Sequence, residues 1–276
     1  MDNPGEQLEF LIMPDEMAFS QPLTVIEEPF TPKIMQELET IFHIKPEAPS
    51  GSVLLVDESN RLVNKTRFGE DVYISVDSKG NIVAVSNFYG RNPERKGFTP
   101  ITTDLETFIQ NLITYMAEKF EGYELVKNRY TFGNDYRELS WMKRYPNGLY
   151  NSYEGVNILV DVRRQTVSDY ASFDCKPTAE TPEITPEQVE EMIRSHAQDK
   201  AFMEKLGGMD GELVQDFDKI QDLKLEYHMP YEAWGKVPKG PDDCVYLTYT
   251  ATVCNGRGFV CIDAVSGKVI DVYGMK

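Results

Sequence analysis

Basic residues, long apolar runs and cysteine are all scarce in this sequence. Its 276 residues include 28 lysines and arginines against 45 aspartates and glutamates, a net charge of −17. The sequence therefore predicts no nucleic-acid partner, because no basic face could offset such a field. No apolar stretch approaches the length of a membrane span, which argues against direct membrane insertion. The first residues also lack the basic and apolar regions of a secretory signal.

The four cysteines show no CxxC pair and no zinc-like spacing with the three histidines. The sequence therefore predicts no metal site and no cofactor. We expect Cys254 and Cys261 in adjacent strands, diagonal to one another and too far apart for a disulfide. Free, partly buried thiols are the favoured interpretation, and a bridge between Cys175 and Cys244 stays open.

Catalytic signatures are missing as well. The chain has no GxSxG, HExxH, Walker loop or catalytic cysteine motif, so we expect a protein that is not an enzyme. Gly256-Arg257-Gly258 is half of a nucleotide-binding fingerprint, but it falls between two expected strands and not before a helix. The acidic stretch 210–222 lacks the glycine and final glutamate of a calcium loop and is expected to be a solvated acidic segment.

The 28 residues from Tyr246 to Tyr273 predict an antiparallel meander. From Tyr246 onwards, apolar residues alternate with threonines, which is typical of a half-buried strand. The run Asn255-Gly256-Arg257-Gly258 suits a tight reversal, and Gly267 suits a left-handed position in the next turn. Three strands are therefore expected between Tyr246 and Tyr273.

Helix signals recur upstream of such strands. Thr31-Pro32 precedes an apolar stripe at helical spacing, Thr103-x-x-Glu106 matches a capping box, and Thr185-Pro186-Glu187-Gln188 combines a cap, a first-turn proline and a capping box. The predicted class is α+β, built from repeated units of one amphipathic helix packed on a small antiparallel sheet. We place an extended arm at residues 1–30 and three units at residues 31–98, 99–178 and 179–276.

Three turns repeat one pattern. Asp77, Asp161 and Asp263 each follow an expected strand and precede another, with a glycine in the first and last turn but Arg163-Arg164-Gln165 in the middle one. We interpret these aspartates, with Gly267, as structural turn residues that accept backbone amide hydrogen bonds. Convergence of all three on one cavity would instead indicate a shared metal or catalytic site.

Aromatic residues gather around two proline-bearing loops and form the candidate binding surface. Such amphipathic rings suit protein or peptide recognition, although they can equally cap small sheets. The residues are Trp141, Tyr145, Tyr150, Tyr153, Tyr227, His228, Tyr231 and Trp234.

The segment from Trp141 to Leu149, WMKRYPNGL, followed by Val156 to Asp161, VNILVD, resembles the repeat of the YcdB/YcdC family, which is related to PepSY domains. The C-terminal Ile262-Asp263-Ala264-x-Ser266-Gly267-Lys268 is similar to the strand-turn-strand that closes a PepSY unit. The middle unit departs from this pattern in lacking the turn glycine, and the first unit is degenerate.

The resemblance implies a non-catalytic, extracytoplasmic module of Gram-positive bacteria that binds or inhibits a secreted peptidase. An extracellular or cell-envelope location is therefore expected over a cytoplasmic one, with the leader or anchor absent from this chain. The alternative is a carboxylate-dependent hydrolase of an extracellular substrate, in which two carboxylates on facing strands act as acid and base. The sequence singles out no such carboxylate pair.

Overall fold

The computed structural model describes residues 30–46, 48–57, 61–69, 72–87, 104–206, 217, 219–230 and 245–274. The expected N-terminal arm, apart from Phe30, lies outside them. The protein is α+β, with antiparallel sheets of eight and four strands and a few helices. The chain divides into two compact units. The first is Met1–Met142 with Gly155–Phe173, and the second is Lys143–Glu154 with Asp174–Lys276.

The eight-stranded sheet comes from two successive blocks of one helix and four strands. The elements of the first block are α1 (Pro32–Thr40), β1 (Pro49–Val56), β2 (Leu62–Phe68), β3 (Val72–Asp77) and β4 (Ile82–Asn87). Those of the second are α2 (Leu105–Lys119), β5 (Tyr123–Thr131), β6 (Tyr136–Arg144), β7 (Tyr150–Asp161) and β8 (Thr166–Asp174).

The four-stranded sheet is formed by the last elements of the chain, in which helices again precede four strands. Its elements are α3 (Pro186–Ser195), a single 3₁₀ turn (His196–Gln198), α4 (Lys200–Lys205), β9 (Gln221–His228), β10 (Tyr246–Val253), β11 (Gly258–Asp263) and β12 (Val269–Gly274). The strand order is β12-β11-β10-β9, the meander expected from alternation. The turn between β10 and β11 differs from the expectation. Val253 pairs with Gly258, so Cys254 lies in the turn, at a φ of 55°, and not in a strand.

The two blocks of the larger sheet join through their last strands, in the order β1-β2-β3-β4-β8-β7-β6-β5. β4 and β8 run antiparallel, with Ala84 opposite Ala171 and Ser86 opposite Asp169. The first strand of each block, β1 or β5, lies at an edge. The residue patterns 31–98 and 99–178, read from the sequence as separate units, thus share one sheet.

One face of the larger sheet is buried under α1 and α2. Ile34 and Leu38 of α1 and Phe108, Leu112 and Met116 of α2 are at most 2 % exposed and belong to one apolar cluster with the strands. Thr31 caps α1 as expected, its hydroxyl accepting from the Ile34 N–H at 3.4 Å. The cap of α2 is Asp104, which accepts from the Thr107 N–H, so the capping box expected from Thr103 is not what starts this helix.

The second unit has its own core. Val189 and Ile193 of α3 pack with Leu247, Val260 and Ile262 of the sheet. The predicted capping box is present, since the Thr185 hydroxyl accepts from the Gln188 N–H and the Gln188 side chain accepts from the Thr185 N–H. No helix among the described residues is both long and apolar enough to cross a membrane.

His43 fixes the loop after α1 to the start of β8. The Nδ1 atom of His43 lies 2.9 Å from the Gln165 carbonyl oxygen, and the His43 ring stacks on Phe108 with centroids 3.9 Å apart. The Thr166 hydroxyl donates to the His43 carbonyl at 2.9 Å. Because burial outweighs the Gln165 hydrogen bond, the pKa of His43 is lowered from its usual 6.5.

This lowered pKa predicts a loss of stability in mild acid. The unfolded chain takes up the His43 proton at a higher pH than the folded one, so the contribution is complete above the unfolded pKa and declines as pH falls through the folded pKa. His43→Asn removes the titration, keeps an N–H for the Gln165 carbonyl, and tolerates the φ of 54°. Thermal melts at about pH 7.5 and about pH 5.5 should show a smaller drop for the variant than for the parent. An equal drop would contradict this role of His43.

Candidate functional site

The hairpin between β6 and β7 carries half of the predicted aromatic surface, and its turn is tightly bonded. The Tyr145 N–H donates to the Leu149 carbonyl and the Gly148 N–H donates to the Tyr145 carbonyl, both at 2.9 Å. Gly148 has a φ of +84°, which a glycine adopts without strain. Asn147 Oδ1 accepts from the Leu149 N–H at 2.9 Å. Three hydrogen bonds therefore hold the backbone of this loop.

Asn147 also fastens the turn to the remainder of the second unit. Its Nδ2 donates to the Glu180 carbonyl at 2.8 Å and to the Tyr227 hydroxyl at 2.9 Å. The rings of Tyr145 and Tyr227 lie 5.3 Å apart at 58°, and the Tyr145 hydroxyl donates to the carboxylate of buried Glu154. We call these five residues, Tyr145, Asn147, Glu154, Glu180 and Tyr227, the hairpin anchor.

The hairpin anchor keeps both phenols protonated. Burial raises the pKa of Tyr145, and the hydrogen bond to Glu154 and the charge of that carboxylate raise it further. Burial also raises the pKa of Tyr227, against the lowering effect of the bond from Asn147. These hydroxyls therefore serve as hydrogen-bond donors and acceptors and not as phenolate nucleophiles or bases.

Tyr150 and Trp141 have opposite surroundings. Tyr150 is 39 % exposed, with the Arg144 guanidinium 5.7 Å from its ring centre, so its ring is accessible for contact. Trp141 is 2 % exposed in the apolar core of the first unit, so it is not part of an accessible surface. Tyr231 and Trp234 lie outside the described residues.

His228 and Tyr153 belong to a different environment, the polar face of the four-stranded sheet. His228 Nε2 is 2.8 Å from Asp271 Oδ2, although β9 and β12 are opposite edges of the sheet. In a flat sheet these edges would be about 14 Å apart, too far for the two side chains to meet. The sheet must therefore be strongly coiled, with its polar face concave. We call the His228–Asp271 pair the edge clasp.

Cross-strand pairing identifies the other residues of this concave face. Thr250 lies opposite Cys261, which lies opposite Asp271, and Thr248 lies opposite Glu226. Thr248, Thr250 and Cys261 are at most 1 % exposed. Glu226 Oε1 accepts from the Thr250 hydroxyl at 2.8 Å and Oε2 is 2.6 Å from Lys224 Nζ.

The concave face is not set up for nucleophilic chemistry at its thiol. Burial raises the pKa of Cys261 to about 12, and the nearby charges of Asp271 and Glu226 act in the same direction. This free thiol therefore stays protonated at neutral pH. Burial likewise raises the pKa of Tyr153, with Glu226 and Asp271 adding to the effect. Sequence reasoning missed Glu226 and Asp271, because only the cross-strand register places them on one face with Thr248 and Thr250.

The three turn aspartates each bond within their own turn. Asp77 Oδ1 accepts from the Lys79 and Asn81 N–H groups, Asp161 Oδ1 from the Arg164 N–H, and Asp263 Oδ1 from the Val265 N–H. They end β3, β7 and β11 respectively. Asp161 is also paired with the Arg164 guanidinium at 2.6 Å, in the turn that lacks glycine. Within the described ranges no group of three or more His, Cys, Asp or Glu residues is placed to hold a metal ion.

Comparisons with known proteins yield little. No family model and no curated protein matches the sequence. Among solved structures, the Bacillus megaterium YpeB C-terminal domain is similar, with a TM-score of 0.42 and 10 % sequence identity over 90 % of this chain and 98 % of that one.

The hairpin anchor predicts that Asn147→Asp destabilises the second unit. The aspartate can keep the turn bond from the Leu149 N–H, but it cannot donate to the Glu180 carbonyl or the Tyr227 hydroxyl. We expect a loss of about 1–3 kcal/mol in the free energy of unfolding, measured by urea denaturation. Asn157→Asp, at an exposed position of β7, is the control and should change stability little. Similar losses in both variants would contradict the anchor.

Alanine substitutions at three glycines should lower stability by different amounts, with the largest loss at Gly267. Its φ is +73°, and an added Cβ would lie 2.9 Å from Met192 Cε, whereas Gly256, at +80°, has no neighbour within 4 Å. Gly256→Ala should therefore cost about 1–2 kcal/mol through backbone strain alone. Gly267→Ala should cost more, because Met192 must also move. Gly51→Ala meets neither obstacle and should be neutral in a thermal melt. Any other ranking of the three contradicts these turn assignments.

Proposed function

We propose that this chain is a non-enzymatic binding module of the bacterial cell envelope that binds, and inhibits, a secreted peptidase. The observation that carries the proposal is the hydrogen-bonded hairpin with an accessible tyrosine at its base. The hairpin anchor fixes the backbone from Tyr145 to Leu149 before any partner arrives, so little conformational entropy is lost on binding. Tyr150 lies beside Arg144, whose guanidinium is 5.7 Å from the centre of the tyrosine ring. Tyrosine and arginine are both enriched among the residues that contribute most to protein–protein binding.

The choice of partner and location derives from the sequence resemblance to YcdB/YcdC repeats and PepSY modules. The order of elements supports that assignment. Each of three blocks consists of helix and four strands, α1 with β1–β4, α2 with β5–β8, and α3 and α4 with β9–β12. In each block the turn between the third and fourth strands begins with an aspartate. We interpret the blocks as three PepSY-like repeats, the first two of which share a sheet.

A carboxylate-dependent hydrolase is the second candidate, and one observation favours it. Glu226 and Asp271 both lie on the concave face of the small sheet, as an acid and a base would have to. However, Glu226 is bonded to Lys224 and Thr250, and Asp271 to His228. Both carboxylates already have structural partners, so the binding module is the stronger proposal.

Inhibition of purified peptidases tests the proposal. The intact chain would be added to a secreted bacterial metallopeptidase and to a subtilisin-type serine peptidase while cleavage of a small fluorogenic peptide is followed. We expect saturable inhibition of at least one enzyme, weakened several-fold by Tyr150→Ala. Tyr130→Ala is the matched control, because Tyr130 is similarly exposed, at 42 %, but lies on β5.

Three outcomes contradict the proposal. They are no inhibition of either enzyme, equal weakening by both variants, or degradation of the chain in place of inhibition. Hydrolysis of peptide or glycoside substrates by the chain itself, abolished by Asp271→Asn in a folded protein, would favour the second candidate.

A further inference from the structure

Strand β5 lies at an edge of the eight-stranded sheet, and its side chains are accessible. It ends the strand order, beside β6. None of its nine residues is buried, whereas β6, β7 and β8 each contain several buried residues. Five large apolar side chains are substantially exposed in the described ranges, and three of them belong to β5 or to the turn after it. They are Leu125 at 38 %, Tyr130 at 42 % and Phe132 at 72 %.

The contacts of α2 with β5 lie near the two ends of the strand. The ring of Phe120 packs edge-on against Tyr123, with centroids 5.7 Å apart, and the Tyr130 hydroxyl lies 3.5 Å from the Glu106 carboxylate. Between these contacts, residues 125–129 are all exposed or half-buried. The backbone edge of this middle section is therefore accessible to a further strand.

The middle section of β5 is basic, in a chain whose net charge is −17. Lys127 Nζ and Arg129 Nε both bond to the carboxylate of Glu138, at 3.0 Å and 2.8 Å. Two cations thus share one anion, which leaves an excess positive charge. Arg137 adds to it, because its Nε donates to a neutral acceptor, Asn128 Oδ1, at 2.7 Å.

These charges lie beside an apolar residue on one face of the strand. Leu125, Lys127 and Arg129 share a face because alternate residues of a strand point to the same side, whereas Glu124 points to the other side. The Arg129 side chain is 65 % exposed and bonds Glu138 through Nε. Its two terminal nitrogens can therefore donate to a second carboxylate, the acceptor that a guanidinium fits best.

We propose that the edge of β5 binds an extended acidic peptide segment of another protein by antiparallel strand addition. Backbone hydrogen bonds to β5 supply affinity, and alternate side chains of the segment supply specificity. On the charged face, the segment carries acidic residues opposite Arg129 and Lys127 and an apolar residue opposite Leu125.

The same charges argue against a second copy of this chain as the occupant. Antiparallel pairing of two β5 strands would bring Lys127 and Arg129 of one copy close to those of the other, and like charges across a strand pair are destabilising. An acidic peptide meets these cations directly. Its repulsion by the more distant acidic residues of the chain is screened beyond about 10 Å at ordinary ionic strength.

Titration calorimetry of the intact chain with synthetic peptides tests the proposal. The probe is a terminally blocked peptide of the length of β5 with a threonine background. It has two glutamates at alternate positions and a valine at the next alternate position. We expect saturable binding that weakens as salt is added. A control peptide with lysine in place of both glutamates should bind about tenfold more weakly or not at all.

A pair of matched variants locates the site. Arg129→Gln should weaken binding of the glutamate peptide about tenfold, because a charged hydrogen bond is lost. Arg194→Gln is the control and should bind normally. Arg194 is also exposed, at 49 %, and also pairs with a glutamate, Glu190 at 2.7 Å, but it lies on α3 in the second unit. Peptidase inhibition by the hairpin is measured separately and does not depend on this site.

Two measurements on the unmodified chain distinguish strand addition from simple charge attraction. Amide hydrogen exchange in β5 should slow when the glutamate peptide is added, while exchange in β1, the opposite edge of the same sheet, should not change. Methylation of the peptide amides that point towards β5 should abolish binding, and methylation of the alternate amides should not.

Four results overturn the proposal. They are absence of binding, equal binding by the Arg129 and Arg194 variants, equal tolerance of methylation at both sets of amides, and exchange protection away from β5. Protection of β5 that appears without peptide as protein concentration rises would identify a second copy as the occupant and would also overturn it.

Discussion

The antiparallel pairing of β4 with β8 is the interaction on which the first unit depends. It joins two four-stranded meanders, each covered by one helix in the part of the chain that the structure describes, and it brings both helices to the same face. There α1 and α2 also meet, since Glu37 accepts hydrogen bonds from the Tyr115 hydroxyl and from Lys119 Nζ. Burial raises the pKa of Tyr115, and Glu37 raises it further, which keeps the phenol a donor. One ladder of backbone bonds thus produces a single core from two blocks.

In the second unit, curvature of the four-stranded sheet helps to bury its polar face. Among the described residues, α3, α4 and the start of β7 contribute side chains to the second core beside its four strands, and Tyr153 of β7 lies near the polar face of the sheet. The edge clasp between His228 and Asp271 requires the sheet to coil, which encloses Thr248, Thr250 and Cys261. Enclosed polar groups need hydrogen-bond partners, and the concave face supplies Glu226 to Thr250 for this reason.

Local patterns were sufficient to predict most elements but not their assembly. Alternation and capping residues identified the meander after Tyr246 and the helix that begins at Thr185, because both signals act within a few residues. The β4–β8 pairing joins residues more than eighty positions apart and has no local signal. The tight reversal expected at residues 255–258 leaves Cys254 in a strand, whereas the turn takes residues 254–257. The α2 cap shifted by one residue, to Asp104, where a carboxylate accepts the amide as readily as a hydroxyl.

The candidate surface shows what alternation could have decided in advance. Trp141 is two residues from Leu139, so both point to the same face of β6, and Leu139 is fully buried. The burial of Trp141 could therefore be predicted from the alternation of inward and outward side chains along β6. Tyr227 and His228 are neighbours in β9, so they must face opposite sides of the sheet, one into the hairpin anchor and the other into the edge clasp. Aromatic residues that look like one group in the sequence therefore serve two structural purposes. Of the members the structure describes, Tyr150 is the one whose ring is substantially exposed, whereas Tyr145 and Tyr227 hold the hairpin in place.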